Sequence, residues 1–324
     1  MKRFLILLLM ANFAVGHTAK DTVPAFVQRW APTAAGLGTG LGAGTCDACG
    51  CSASGGSMGF SSMLATQYVG IRYLNQRYES RDGIFNNSPI AKEKFNTWQL
   101  WSKFSITKKI QMIALLPYHA HERERVSGNE SISGIGDFTV LAYFEAWKTK
   151  SDSTQWSHSV QLGGGVKAPT GKYDAANNAG SVNASFQIGT GSWDYLLAAE
   201  YSLNYQMGGL MLNGNYTFKT ENNKDFRFGN QLNYGATFFY MFEPGRFKVM
   251  PQAGVAGEKY EANHQYGLTI ADTAGDVLFG KLGVEASRGK FSAGLSTMLP
   301  MTQNLNGGMV EAQYRWSINL NYSL

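Results

Sequence analysis

The chain has 324 residues and a formal net charge of +5, with 16% charged, 44% hydrophobic and 13% aromatic side chains. A charge balance this close to neutral offers no electrostatic basis for binding nucleic acid. The 38 glycines and only 8 prolines indicate many strands and turns rather than helices, and beyond the N-terminus no stretch is apolar enough for a membrane-spanning helix.

The N-terminus has the pattern of a secretory leader. A positively charged start, Met1 to Arg3, precedes the apolar run 4–15, which is too short for a bilayer span of about 20 residues. Small residues at the recognition positions predict cleavage after residue 16. Residues 1–16 are therefore predicted to be a leader, and the mature protein is predicted to be exported.

Residues 17–63 differ in composition from the rest of the mature chain. The stretch 31–59 is rich in Gly, Ala, Ser and Thr, shows no periodicity and cannot bury a core of its own. We predict that this region is either a periplasmic arm or a plug that folds into the mouth of a barrel. The sequence does not decide between the two.

All three cysteines of the chain, Cys46, Cys49 and Cys51, lie in this arm. Three thiolates could bind a soft metal ion such as Cu(I) or Zn²⁺, or an iron–sulfur cluster. In an oxidising periplasm the alternative is one disulfide and a spare thiol. Both interpretations stay open, and no cofactor is predicted to be required.

From residue 64 to the C-terminus, amphipathic strands follow one another. In the last of them, apolar residues occupy every second position from Val310 to Leu324, and polar residues, beginning with Glu311, occupy the positions between. This alternation, with aromatic residues on the apolar side, is typical of a membrane-spanning strand with one side facing lipid. The predicted strands are 64–76, 94–106, 110–121, 134–148, 156–167, 184–205, 210–220, 226–242, 246–259, 275–287, 290–300 and 310–324.

The loops between these strands predict how they are arranged. Short and long loops alternate, as they do around a bacterial outer-membrane barrel, provided that 184–205 crosses the membrane once as a bulged strand. The strand number is then even, with both ends of the barrel on the periplasmic side. We therefore predict an all-β fold: a transmembrane antiparallel up-and-down β-barrel of about 12 strands over 64–324, with the irregular N-terminal arm or plug. A soluble all-β sandwich is the alternative.

Charged side chains recur on the polar side of these strands. Burying so many charges in lipid would cost several kcal/mol each, so they are predicted to face the interior and line a lumen. A twelve-strand barrel is wider than the eight-strand size that side chains fill, which favours free space inside; charges that pair and merely fill the lumen are the alternative. Both signs occur, which argues against strong ion selectivity. The lumen-lining candidates are Lys103, Asp137, Glu145, Lys167, Glu200, Arg227, Lys248, Lys281, Glu285, Glu311 and Arg315, with Asp194 and Lys219 on the same side.

His119 and His121 lie two residues apart on one predicted strand, so their rings share a face, with Glu122 and Glu124 just beyond. Metal binding at the lip of the barrel is one interpretation, and a solvated loop base is the commoner one. A hydrolase would need a nucleophile, a base and an orienting group held together. His158 falls on the apolar side of its strand, and no Gly-x-Ser-x-Gly elbow occurs, so no enzyme is predicted.

Several short motifs follow one another in a recognisable order. In this order they resemble the outer-membrane transporter-like barrels of the phenol-degradation meta-pathway type, over roughly residues 64–324. The arm with Cys-x-x-Cys-Gly-Cys is similar to the variant found in Bacteroidetes-like relatives. The resemblance implies uptake of small aromatic or apolar compounds, although turn motifs say little about the solute. The motifs are 96–101, Ile-Thr-Lys-Lys at 106–109, Pro-Tyr-His at 117–119, Gly-Ile-Gly-Asp at 134–137, Lys-Ala-Pro-Thr-Gly-Lys at 167–172 and Gly-Thr-Gly-Ser at 189–192.

The predicted function is that of an outer-membrane channel for passive or weakly selective passage of small solutes, with apolar or aromatic compounds as candidates. Outer-membrane lipids and a small-molecule solute are the expected partners, and a periplasmic partner for the arm is a further candidate. Two alternatives belong to other classes. One is a barrel-anchored metal-binding or partner-docking protein that uses the cysteines, and the other, less favoured, is an outer-membrane hydrolase.

Overall fold

The computed structural model describes residues 62–81, 88–149, 156–173 and 186–324, together with the backbone of the short pairs 176–177 and 180–181. The predicted leader, and the predicted arm up to residue 61 with its three cysteines, lie outside these residues, so their assignments stay predictions. Within the described ranges, no helix is long and apolar enough to cross a membrane.

In the described part of the chain, twelve long strands of 10 to 16 residues form a wall, and six shorter strands extend or flank it. A short 3-10 helix at Asn306–Gly308 precedes the last strand. In chain order the strands are β1 Tyr68–Arg81, β2 Ile90–Ser105, β3 Ile110–Arg125, β4 Gly128–Ile135, β5 Phe138–Lys148, β6 Ser157–Ala168, β7 Ala176–Asn177, β8 Gly180–Ser181, β9 Asp194–Tyr205, β10 Gly208–Lys219, β11 Phe226–Arg227, β12 Gln231–Tyr240, β13 Lys248–Tyr260, β14 His264–Gln265, β15 Leu268–Thr269, β16 Gly275–Arg288, β17 Phe291–Leu305 and β18 Val310–Ser323.

The long strands pair antiparallel and close into a ring. Each wall strand hydrogen-bonds the next one, and β1 pairs with both β2 and β18, so the described wall has no free edge. β4 instead folds back on the extended end of β3, with Arg125 opposite Gly128 at the hairpin. The predicted closed, antiparallel barrel of twelve strands is therefore confirmed. We call the end of the barrel that carries Tyr68 and Ser323 the lower end. The opposite end is the upper end.

The side chains of each strand alternate between two faces of the wall. Large apolar side chains are exposed on the outer face, among them Ile71, Leu197 and Leu320. Aromatic pairs accompany them, such as Phe291 and Tyr322 at the lower end, whose ring centroids lie 5.2 Å apart. A closed wall satisfies its own backbone hydrogen bonds, and an apolar outer band matches the hydrocarbon of a bilayer. The outer face is thus built to contact lipid.

Three predicted stretches differ from the structure. In the described part of 184–205, which begins at residue 186, only β9 belongs to the wall, whereas residues 186–192 pack against inner-face side chains. Of 226–242, only β12 belongs to the wall, since β11 joins β14 and β15 in a separate small sheet. The predicted loop 121–133 is a hairpin made by the end of β3 and by β4. Alternation alone could not separate the second and third cases, because a strand outside the wall alternates in the same way.

The last strand contains a bulge that its regular alternation concealed. The register shifts between Arg77 and Tyr78 of β1, so that Gln313 is an extra residue in β18. Below the bulge the apolar side faces outward as predicted, whereas above it Ala312 is buried inside the barrel. Glu311 therefore lies exposed on the outer face, and its predicted position in the lumen is wrong.

Candidate functional site in the barrel interior

Two apolar, aromatic-rich clusters and many buried polar and charged side chains together fill the interior of the barrel. An upper cluster contains Tyr78, Phe95 and Phe279, and a lower cluster contains Trp101 and Leu115; each of the five is at most 2% exposed. The register places them at alternate positions of their strands, all on one face. A cavity of about 70 Å³ lies in the lower interior. It is lined in part by Arg72, Trp101, Tyr143, Glu200, Asn213 and Lys281.

Residues 186–192 enter this interior from the upper end, although they do not belong to the wall; we call them the inward segment. Phe186 and Thr190 are fully buried. The Phe186 ring packs edge-on against Phe95, with ring centroids 6.2 Å apart, and it lies 4.4 Å from the Arg123 guanidinium. Because Phe95 and Arg123 are inner-face residues of β2 and β3, the inward segment lies within the barrel.

Asp137 connects the inward segment to the wall. Its Oδ2 accepts hydrogen bonds from Thr190 N at 2.8 Å and Thr190 Oγ1 at 2.9 Å, and its Oδ1 accepts one from Gly171 N at 2.9 Å. The backbones of Gly171 and Gly189 approach closely here, since a Cβ on Gly189 would lie 2.4 Å from the Gly171 carbonyl oxygen. Three motifs that are separate in the sequence thus meet at one carboxylate, and we call this contact the Asp137 junction.

The charges around the Asp137 junction are paired. Lys167 Nζ lies 3.5 Å from Asp137 Oδ2 and 2.5 Å from Asp194 Oδ2, and Lys219 Nζ lies 3.3 Å from the same Asp194 oxygen. All four side chains are at most 4% exposed. Buried charges are tolerated when each keeps a partner, and removal of one partner is costly. These predicted lumen residues therefore support the inward segment rather than presenting free charge to a passing solute.

Arg315 forms a second buried network in the upper interior. Its Nη1 and Nη2 donate to the two carboxylate oxygens of Glu258 at 2.6 and 2.8 Å, which is a bidentate geometry. Its Nε donates to the Tyr78 hydroxyl at 3.0 Å, and its guanidinium lies 4.3 Å from the Phe279 ring centre. Glu258 was not among the predicted residues. The signal that could have found it is its even spacing from Lys248, a predicted lumen residue of the same strand.

The chain just before β1 also enters the barrel, at the lower end. Ser62 Oγ donates a hydrogen bond to Glu285, and Met63 N donates to Glu285 Oε2 at 3.1 Å. Residues 62 and 63 are the last two of the predicted arm; the rest of the arm lies outside the described residues, so the choice between arm and plug stays open. Four predicted lumen residues lie on the inner face here: Lys103, Glu200, Lys281 and Glu285.

Three further predicted lumen residues lie at the edges of the barrel or beyond it. Glu145 is at the lower end of β5 and is partly exposed. Lys248 is exposed at the lower end of β13 and pairs with Glu243 at 3.1 Å. Arg227 was predicted wrongly: it lies in β11, outside the wall, where its Nη2 is 3.0 Å from His264 Nδ1. The predicted strand had continued through the turn that separates β11 from β12.

No residue within the described ranges belongs to a group of three or more His, Cys, Asp or Glu side chains that could hold a metal ion. Cys46, Cys49 and Cys51 lie outside those ranges, so a metal site or disulfide in the arm stays a prediction. His158 lies on the outer face of β6, as its spacing predicted, and its Nδ1 is 2.7 Å from the Tyr201 hydroxyl.

His119 and His121 share one face of β3, as predicted; this face is the inner one, and the two rings are buried rather than solvated. His119 Nδ1 lies 2.9 Å from Thr97 Oγ1. The ring of His121 is centred 4.9 Å from that of His119 and 4.8 Å from that of Phe95. Glu122 lies on the opposite, outer face. We call the surrounding enclosure the His121 pocket; it is formed by Phe95, His119, His121, Arg123 and Phe186.

A closed antiparallel wall with an apolar outer band defines an integral β-barrel of the bacterial outer-membrane type. Residues 94–297, which are more than half of the chain, match the family described as the MetA-pathway of phenol degradation. The chain therefore belongs to this family, which is the one that its motifs resemble. The comparison with curated proteins gives no match.

Solved structures share the fold. An outer membrane channel from Pseudomonas putida F1 superposes with a TM-score of 0.62 at 14% identity, over 81% of this chain and 97% of that one. The β domain of the Bordetella autotransporter BrkA gives 0.45 at 13% identity, over 80% and 100% of the two chains. The CymD monoaromatic hydrocarbon channel gives 0.38 at 7% identity, over 80% and 89%. The last two similarities are too low to support an argument about this chain.

Proposed function

We propose that this protein is an outer-membrane channel for small solutes, with apolar and aromatic compounds as its cargo. The observation that carries the proposal is the inner face, where two apolar, aromatic-rich clusters lie among the buried polar side chains. An apolar ring can contact these clusters without losing hydrogen bonds, whereas a charged solute would lose hydration worth several kcal/mol. The description of the family and that of the Pseudomonas putida channel support the same class of function.

The inward segment is the element whose displacement would open the upper interior. It does not pair with any strand of the wall, so it can move while the barrel stays closed. Hydrogen bonds from the inward segment and from Gly171 to the Asp137 carboxylate hold it in place, and bonds to an ionised acceptor are stronger than neutral ones. We therefore expect that weakening the Asp137 junction raises permeability without unfolding the barrel.

Proteoliposome swelling with solutes of similar size and different polarity tests the channel. Asp137→Asn keeps the shape of the side chain but removes its charge and one of its acceptor oxygens. We expect phenol and benzyl alcohol to enter wild-type proteoliposomes faster than a sugar does, and the variant to increase the aromatic rates several-fold. Asp276→Asn is the matched control, because Asp276 is exposed on the outer face of β16.

The proposed function fails if folded wild-type protein and the Asp137→Asn variant both leave the liposomes as tight as protein-free ones. Preference for sugars over aromatic solutes would also contradict it, because the apolar, aromatic-rich clusters should favour aromatic solutes. Folding of each variant is checked by the change in gel mobility that a closed barrel shows on heating.

A further inference from the structure

His121 is a buried polar side chain whose ring nitrogens form no hydrogen bond with the described residues. It is 1% exposed, and neither Nδ1 nor Nε2 has a hydrogen-bond partner among the described residues. The adjacent His119, in contrast, has Thr97 Oγ1 at 2.9 Å from its Nδ1. Buried polar groups are nearly always paired, and an unpaired one lowers stability. A neutral imidazole offers one donor and one acceptor, so a ligand hydroxyl could pair with either nitrogen.

The ring that fills the pocket comes from the inward segment and not from the wall. Phe186 lies with its ring centroid 6.4 Å from that of His121 and 6.2 Å from that of Phe95. The Arg123 guanidinium lies 4.4 Å from the centre of the Phe186 ring, which is a cation–π geometry. The three partners all belong to wall strands, so they would stay in place if the inward segment withdrew. A free aromatic ring could then make the same contacts.

The charges around the pocket favour a neutral ligand. Arg123 Nη2 is paired with Glu93 Oε1 at 2.6 Å, and its Nη1 lies 3.9 Å from Glu130 Oε2. An anion would therefore have to compete with two carboxylates that are already present, and an ammonium group would face the guanidinium. A saturated ring lacks the negative π face that the guanidinium attracts. An uncharged aromatic ring is the class that meets these conditions.

We propose that the His121 pocket binds a neutral hydroxylated aromatic compound of the phenol class, in the place that Phe186 occupies in the structure. The ring lies against Phe95 and over the Arg123 guanidinium, and its hydroxyl pairs with a ring nitrogen of His121. This assignment rests on the proposed channel function, because the ligand reaches the pocket when the inward segment withdraws. In the wild-type chain Phe186 competes with the ligand, which weakens the apparent affinity.

The experiment measures binding of phenol and of benzene to the purified full chain in detergent by calorimetry. Phe186→Ala removes the competing ring and leaves a space the size of one aromatic ring. We expect this variant to bind both compounds more tightly than the wild type does, and phenol roughly tenfold more tightly than benzene. His121→Leu in the Phe186→Ala background is expected to abolish that preference.

The matched control is Phe279→Ala, because Phe279 is equally buried and lies 4.3 Å from the guanidinium of Arg315. This variant is expected to show no preference for phenol that depends on His121.

The assignment is overturned if folded Phe186→Ala binds neither compound, binds both equally, or keeps its preference for phenol when His121 is replaced. If Phe186→Ala does not fold, nitrogen-15 NMR of the histidine rings in the wild-type chain takes its place. Phenol is then expected to shift the His121 resonances, identified with His121→Leu, and benzene is not; equal shifts contradict the assignment.

Binding and permeation separate this assignment from the channel proposal. If phenol permeates but does not bind in a way that depends on His121, the channel function is supported and the His121 pocket is contradicted as a binding site. If phenol binding depends on His121 but the protein passes no solute, the binding site is supported and the channel function is contradicted.

Discussion

Gly189→Ala is expected to release the inward segment while the wall stays folded. The added Cβ would lie 2.4 and 2.5 Å from the carbonyl oxygen and carbon of Gly171, and 2.7 Å from Asp137 Oδ1. Favourable contacts between carbon atoms are about 3.5–4.0 Å long, so the two backbones have to separate by roughly 1 Å. The nearest atoms belong to backbone rather than to a flexible side chain, so relaxation by a change of rotamer cannot relieve the clash.

Overpacking of this kind costs about 1–3 kcal/mol. The three hydrogen bonds at the Asp137 junction contribute more than this in total, since bonds to a charged group add a net ~1.5–3 kcal/mol each. The clash therefore offsets part of their contribution and shifts the inward segment toward the released position. A change of about 1.4 kcal/mol corresponds to a tenfold change in that equilibrium.

Hydrogen exchange followed by mass spectrometry reports the release directly, because local opening speeds exchange in the affected segment alone. We expect faster exchange over residues 186–192 and faster entry of aromatic solutes, with unchanged protection in β1 and β18. Gly164→Ala is the control, because its Cβ would have only the Leu196 carbonyl oxygen nearby, at 4.0 Å. Combining Gly189→Ala with Asp137→Asn should add less than the sum of the two effects, because both act on one contact. Unchanged exchange in Gly189→Ala, or faster exchange without faster solute entry, would refute the role given to the inward segment.

Two further substitutions test the remaining interior contacts. Arg315→Met leaves the Glu258 carboxylate buried without its bidentate partner, so the unfolding free energy should fall by about 3–5 kcal/mol; urea titration measures it, and the exposed Arg246→Met should cost far less. Glu285→Gln weakens the attachment of residues 62 and 63, so those residues should exchange faster and small polar solutes should enter faster. Glu243→Gln, at an exposed site, is its control, and equal behaviour of the two variants would show that Glu285 does not hold the lower interior closed.

The wall of the barrel could be predicted from the sequence because each strand has to satisfy two solvents at once. Lipid on one side selects residues such as Leu320, and the opposite side carries residues such as Asn321. The alternation of short and long loops then predicted how many times the chain crosses, which gave the twelve wall strands. Glu311 and Arg227 were misplaced because an inserted bulge residue and a turn between two alternating stretches leave the period-two pattern intact.

The convergence at Asp137 lies beyond the reach of strand patterns. Gly171, Asp137 and Thr190 lie in three separate irregular segments, and their contact depends on how far the inward segment bends into the barrel. The spacing of the three motifs in the sequence does not predict that bend. Their shared use of glycine is the available hint, because close approach of two backbones leaves no room for a Cβ.

The filled interior could not be predicted for a different reason: strand number sets the width of a barrel, but the inner side chains set how much of that width is free. In β2, Phe95 and Trp101 face inward while Trp98 and Leu100 lie on the outer face, so that large apolar residues occur on both sides of one strand. A hydropathy pattern assigns such residues to lipid by default. Large aromatic residues on the inner face, such as Phe95 and Trp101, are therefore the feature that distinguishes this filled barrel from a water-filled pore, and they become visible once the register with the neighbouring strands is known.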